Sequence, residues 1–209
     1  MTTLKGIECL ANLESLYAGD YALTSVDISQ NKKLRTLSLR QCHSLKSIDV
    51  SQNKKLTYLS LSDSGFSSLD VSQNKELETL AVSGCALTSL DVSQNAKLQN
   101  IDIRFNELTS IDISKNKELT SLNVNNNKLT SLDVSLNTKL CQLDVGNNEL
   151  ASIDISNCQN LTEFNCEGNP GDSDSKFIVT VWKGFDITGL TFPAAGSTWN
   201  GVTLEYKEK

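Results

Sequence analysis

LTSLNVNNNKLTSLDVSLNTK, residues 119–139, decides the fold. It holds two nine-residue segments of one design, each with apolar residues at positions one, four and six and asparagine at position nine. These are Leu119, Leu122, Val124 and Asn127 in the first segment and Leu129, Leu132, Val134 and Asn137 in the second. The step of two from position four to position six is the period of a short strand. A coil of this length has room for strand and turn, but not for a full helix on its back.

Outward from this stretch the same coil repeats over most of the chain. The second segment recurs as LTSVDISQN (23–31), LKSIDVSQN (45–53), FSSLDVSQN (66–74), LTSLDVSQN (87–95), LTSIDISKN (108–116) and LASIDISNC (150–158). The first recurs as LESLYAGDY (13–21), LRTLSLRQC (34–42), LTYLSLSDS (56–64), LETLAVSGC (77–85), LQNIDIRFN (98–106), LCQLDVGNN (140–148) and LTEFNCEGN (161–169). Leading leucines advance by 21 residues except for one step of 22, which inserts a residue between Leu34 and Leu45. Burying about six aliphatic side chains does not offset the entropy of ordering one coil, so the copies must fold as a stacked array. The position-nine asparagines have a structural reason: a buried amide can bond backbone groups left free where the chain turns.

The pattern LxxLxVxxNxLTSLDVSxNxx resembles the bacterial leucine-rich repeats of internalin-type surface proteins, including those common in Bacteroides-like gut bacteria. Residues 4–16, LKGIECLANLESL, resemble the start of such arrays. The resemblance covers about residues 4–169. It implies a right-handed leucine-rich-repeat solenoid, a horseshoe or superhelix. A parallel sheet would line the concave face, with extended or 3₁₀ turns on the convex face and little or no α-helix. It also implies export, display at the cell surface and binding or adhesion to a protein or glycoprotein partner, a host's included. An upstream signal and N-terminal cap, usual in the family, are expected to lie outside this chain.

At Pro170 the repeat stops. Gly171-Asp172-Ser173-Asp174-Ser175 is a turn-rich break, and Phe177–Trp182 reads as a strand. Asn200-Gly201 between Trp199 and Val202-Thr203-Leu204 is a hairpin signal. Residues 1–169 are therefore read as the array and 170–209 as a C-terminal β-hairpin cap whose aromatics cover the last coil. A separate ligand-binding domain is the alternative, though forty residues is short for an independent core.

Comparison of the copies locates a candidate surface. The second segment set is nearly uniform: Thr-Ser, then Asp, then Ser. The first set varies at outward positions three, five and seven, the surface that the resemblance places on the sheet. Tyr17, Arg35, Arg40 and Tyr58 form the proposed anchor patch, joined by Tyr21 and His43, with Arg104 and Phe105 as a second anchor. The C-terminal half of the face is acidic or amide-rich, a rim or a site for a basic partner. A structural spacer would instead show a plain polar face, and a glycan binder would need aromatic platforms, for which only Tyr17 and Tyr58 are candidates.

Other chemistries find little support. The formal charge of −6 argues against nucleic acid. No apolar run is long enough to span a membrane. The aspartate column, Asp27, Asp49, Asp70, Asp91, Asp112, Asp133 and Asp154, offers one carboxylate per coil, short of the six to eight oxygens that Ca²⁺ wants, so turn capping is favoured over metal. Lysines such as Lys32, Lys54, Lys75, Lys97, Lys117 and Lys139 are expected to offset the repulsion within it. Six cysteines lack CxxC spacing, and Cys42 and Cys85 fall two rungs apart, about 10 Å, beyond disulfide reach. With His43 the lone histidine, no catalytic constellation is evident. The sequence is read as a non-enzymatic, cofactor-free monomer.

Overall fold

The computed structural model describes residues 3–19 and 22–209. Its strands in chain order are β1 Ser15–Ala18, β2 Thr36–Leu39, β3 Tyr58–Ser60, β4 Thr79–Ala81, β5 Asn100–Asp102, β6 Ser121–Asn123, β7 Gln142–Asp144, β8 Ser152–Asp154, β9 Glu163–Asn165, β10 Lys176–Val181, β11 Thr198–Trp199 and β12 Val202–Glu208. The helical element among the described residues is a 3₁₀ turn, Ile7–Cys9. The first-set segments stack into one eight-stranded parallel sheet, β1 to β7 followed by β9. Each residue pairs with its counterpart one coil on, as in Leu80↔Ile101↔Leu122↔Leu143. The chain is a leucine-rich-repeat solenoid with a continuous aliphatic interior. Leu34, Leu56, Leu77, Leu98, Leu119 and Leu140 are wholly buried along one column of it.

The opposite wall departs from the strand expected there. Of the second-set segments only Ser152–Asp154 is a strand, and it pairs with β10 rather than with another coil. Position four on this wall is only half-buried at Val26, Ile48, Leu69, Ile111 and Leu132, whereas position six is fully buried at Ile28, Val50, Val71, Ile113 and Val134. Two consecutive i→i+3 turns explain the difference. In one coil Asn74 N–H donates to Val71 C=O and Leu77 N–H to Asn74 C=O, so the wall bends before a ladder can form.

Two columns of asparagine bond carbonyls at these bends; on the opposite wall each such carbonyl already accepts one N–H within its turn, and the amide is its second donor. On the opposite wall, each Nδ2 donates to two carbonyls of the preceding coil. Asn95 donates to Val71 (3.0 Å) and Asn74 (2.9 Å), and Asn116 to Val92 (3.1 Å) and Asn95 (2.8 Å). Asn31 finds the same two sockets, Ile7 C=O at 2.8 Å and Leu10 C=O at 2.9 Å, in the 3₁₀ turn. At the far end Cys158 takes the asparagine place, its thiol facing Val134 C=O (3.6 Å) and Asn137 C=O (3.8 Å). On the sheet side Asn106, Asn127, Asn148 and Asn169 are satisfied through both ends of the amide. Asn127, for example, donates to Ile103 C=O at 3.0 Å and accepts from Leu108 N–H at 3.1 Å. Cys42, Ser64 and Cys85 hold that position in earlier coils.

The inserted residue of the second coil is absorbed as a local bulge. His43 is exposed, with Nδ1 2.6 Å from Asp63 C=O. Its own carbonyl lies 2.6 Å from where a Cβ on Gly65 would stand, so only glycine fits opposite the insertion.

Beyond Pro170 both walls are extended. β10 pairs with β8, β12 with β10, and Thr191 bridges Glu163 at the end of the main sheet. β11 and β12 meet antiparallel across Asn200-Gly201, where both φ values are positive (48° and 83°), as a type I′ turn needs. Phe185 packs against Phe192, Tyr206 and Trp182 at centroid distances of 5.5, 5.2 and 4.8 Å. Phe192 reaches Phe164 of the last coil at 5.4 Å, and Trp199 Nε1 donates to Asn169 C=O at 2.7 Å.

All six cysteines are free. Burial pushes the Cys158 and Cys166 thiols up to about 12, so both are inert fillers of the interior.

Replacing Asn95 by Ala would remove one of the two hydrogen bonds that the carbonyls of Val71 and Asn74 each accept in a dry interior. Chemical denaturation should show a loss of about 1–3 kcal/mol. The exposed neighbour Gln94→Ala should change little. Equal effects of the two substitutions would remove the asparagine column from its structural role.

Candidate binding surface

The sheet face follows from strand alternation: with positions four and six inside, positions three, five and seven look out. In the third and fourth coils positions five and seven are all small and buried, Ser60 and Ser62, then Ala81 and Ser83. The coils on either side carry arginine at position seven. Arg40 Nε donates to Ser60 Oγ at 3.0 Å, and Arg104 Nε lies 3.5 Å from the Asp102 carboxylate. The result is a depression of about 370 Å³ floored by Ser62 and Ser83, with Arg40 and Arg104 at its sides and Asp63 and Asp102 at its rim.

Position eight, next along, is held by the backbone. Gln41, Asp63, Gly84, Phe105, Asn126, Asn147 and Gly168 all have φ between 51° and 80°, the left-handed region. Glycine, asparagine and aspartate are the usual occupants of that region, and a bulky residue there is an outlier. Phe105 is that outlier, and its ring is 55% exposed.

Of the anchor residues named from sequence, Arg40 and Arg104 line one depression and Phe105 stands beside Arg104 at its corner. Tyr17 lies on the first strand and is 70% exposed. Tyr58 opens β3 and is half-buried, and Arg35 precedes β2 by one residue at the coil edge. Neither Tyr17, Tyr58 nor Arg35 lines the depression. Tyr21 lies outside the described residues.

Sequence reasoning missed a second arrangement toward the C-terminal end. Asp144 Oδ1 accepts from Asn125 Nδ2 (3.0 Å), Asn165 Nδ2 (2.9 Å) and Gly146 N–H (3.0 Å). Asp144 helps line a depression of about 260 Å³ with Asn123, Gln142, Glu163, Asn165 and Thr191. Gly146 was the available signal: a Cβ there would stand 2.7 Å from both amide nitrogens. The cluster is neutral amide wrapped around one carboxylate, a set of fixed donors and acceptors suited to polar side chains or hydroxyls.

On the opposite wall the aspartates act as turn caps. Asp49, Asp70, Asp91 and Asp133 each accept the N–H of the serine two residues on at 2.8 Å. The N–H and then the hydroxyl of Ser72 hold the Asp70 carboxyl below its usual range, against the like charges of Asp49 and Asp91. Asp27, Asp91 and Asp112 are lowered in the same order. The lysines do not offset this column as expected. Two of the six reach acids on their own edge, Lys97 to Glu76 and Lys139 to Glu118, each at 2.5 Å. Among the described residues there is no cluster of three metal-ligating side chains and no helix long and apolar enough to cross a membrane.

No protein-family model matches the chain, and no curated protein does. Solved structures do. The functional domain of InlJ from Listeria monocytogenes, whose structure includes a cysteine ladder, is 28% identical over 99% of this chain and 50% of that one, with a TM-score of 0.62. The internalin InlF from Listeria monocytogenes is 18% identical over 79% of this chain and 51% of its own, with a TM-score of 0.66. Internalin C2 from the same organism is 19% identical over 79% and 76%, with a TM-score of 0.68. The chain therefore spans about half the length of the InlJ and InlF structures. It is an internalin-like leucine-rich-repeat solenoid.

The aspartate caps set an acid limit. Carboxyls lowered in the fold contribute stability above their unfolded pKa of about 3.9 and lose it as pH falls through the folded values. The melting temperature should hold steady from neutral pH down to about pH 5 and drop below about pH 4. It should not respond to EDTA at neutral pH; an appreciable drop in EDTA would turn the column back into a cation site.

Proposed function

We propose that this chain is a non-enzymatic binding or adhesion module displayed on a bacterial cell surface, holding a protein or glycoprotein partner against its strand face. Phe105 carries the reading. A left-handed backbone costs a bulky residue of the order of 1–2 kcal/mol, and six other coils put smaller or polar residues in the same place. Phe105 is 55% exposed and is not part of the buried core. A strained, solvent-facing aromatic beside an arginine is what an interface anchor requires. Arg40 and Arg104 flank a floor of small side chains, where a partner can approach the sheet closely, and Tyr17 extends the face toward its N-terminal edge.

The contrast between the walls supports the same conclusion. The opposite wall repeats one motif with its polar groups engaged in turn caps, whereas the strand face changes from arginine and tyrosine at one end to Asp144, Glu163 and Glu167 at the other. A spacer has no use for that variation. The internalin likeness adds adhesion as the natural class of task, with the partner's identity left to chemistry: an acidic or dipolar protein surface fits the Arg40–Arg104 depression.

The Phe105→Asn variant separates fold from function. Its melt should match the wild type or gain about 1 kcal/mol, as asparagine suits the left-handed corner. Capture of protein partners from host mucosal extract should fall about tenfold or more, and a paired Arg40→Ala, Arg104→Ala variant should behave alike. A Ser89→Ala, Ser110→Ala change on the opposite wall serves as control. If all the variants capture the same material, the strand face is not the site.

A further inference from the structure

Each coil passes from the opposite wall back to the sheet through the two residues that follow its ladder asparagine, and every one of these rim residues is exposed. Farther along the rim, toward the C-terminus, Lys117 is the charged residue without an ion pair among the described residues. Glu76 meets Lys97 and Glu118 meets Lys139, both at 2.5 Å, while Ala96, Thr138, Gln159 and Asn160 carry no charge. The solenoid thus has a simple way to balance this edge, by placing opposite charges 21 residues apart.

The N-terminal half does the reverse. Lys32, Lys54 and Lys75 occupy one rim column and Lys33 and Lys55 the next, with Arg35 following on the second coil. Rungs stand about 4.8 Å apart, so like charges face like charges, an arrangement that destabilises adjacent strands. Lys33 donates to Asn12 Oδ1 at 2.7 Å, and among the described residues none of the five lysines has an ion pair. Glu14 borders the patch on one side, and Glu76 and Glu78 on the other. The concentration is out of keeping with the whole chain. Of its 19 lysines and arginines six gather here with three glutamates at their borders, leaving thirteen to face the other 22 of its 25 acids.

We infer that this lysine rim is a second binding site, separate from the strand face, for a linear sulfated polysaccharide lying along the solenoid axis. A sugar residue is close to one rung in length, so sulfate esters on successive sugars meet successive ammonium groups. Lysine suits the task as a compact charge on a flexible stem, able to adjust to a polymer of irregular sulfation. Duplex nucleic acid fits poorly, with one charge per about 1.7 Å of axis confronting a predominantly acidic surface beyond the patch. Binding here would leave the Arg40–Arg104 depression free, so polymer and protein partner could be held at once.

The test is titration calorimetry of the full chain with a heparin-derived octasaccharide at low salt. Binding should saturate and weaken as salt screens the ammonium groups. Lys54→Gln with Lys55→Gln should weaken it about tenfold and should leave the melting temperature equal to or above that of the wild type, because repulsion is relieved. Lys117→Gln with Lys139→Gln, on the same rim farther along, should stay within about twofold. The inference fails if the octasaccharide does not bind, if both double variants lose affinity equally, or if single-stranded DNA of equal charge binds as tightly. Because Phe105→Asn leaves the rim intact, it should bind the octasaccharide like the wild type, and a failure of either site does not carry over to the other.

Discussion

The carbonyls turned inward at each bend are the constraint on which the molecule depends. Within a turn each of these carbonyls accepts a single backbone N–H, and because water is excluded from the aliphatic interior the second donor must come from the neighbouring coil. Asn53, Asn74, Asn95, Asn116 and Asn137 each reach back one coil and close two such carbonyls with a single amide. Leucine packing supplies the favourable burial, but it would accept other spacings. The amide asks for a neighbour in register, and across the 22-residue step Asn53 still reaches Ile28 and Asn31 because the extra residue bulges out at His43. Both the period and the parallel sheet follow from it, since equal coils stacked in register bring equivalent segments side by side.

How much of this could be read from residue order differs by region. The column of Leu37, Leu59, Leu80 and Ile101 was plain, because burial on the sheet side enforces the period of two. The second segment shows that same spacing yet forms no sheet over most of its length. There the i→i+3 turns compete with the ladder, and a period cannot say which set of hydrogen bonds wins. In the candidate site, Arg40 and Arg104 shared an outward column and so could be placed on one surface. Their relation to the small floor between them, and the exclusion of Tyr58 and Arg35, depend on packing across four coils. Asp144 was hidden for a like reason: its three donors come from residues 125, 146 and 165, which no local pattern links.

The two walls divide labour along chemical lines. Serine and aspartate on one wall are consumed by the chain's own turns, which leaves little freedom to change them. The strand face has its backbone paired within the sheet, and although Asp102, Asn123, Asp144 and Asn165 cap the turn that follows, its outward side chains differ from coil to coil. The left-handed corner from Gln41 to Gly168 lies between these regimes, constrained in backbone and open in side chain. Phe105 stands out because it satisfies the second condition and offends the first.

Every ladder amide gives to the coil before it and none to the coil after, which lends the solenoid an arrow. Any coil offers its successor the same pair of acceptors, and it asks of its predecessor the same pair in return. Splicing in one whole unit would reproduce both junctions, while adding half a unit would ruin them. Array length is consequently an easy quantity for evolution to adjust in whole steps, and reach can grow without redesign of either end.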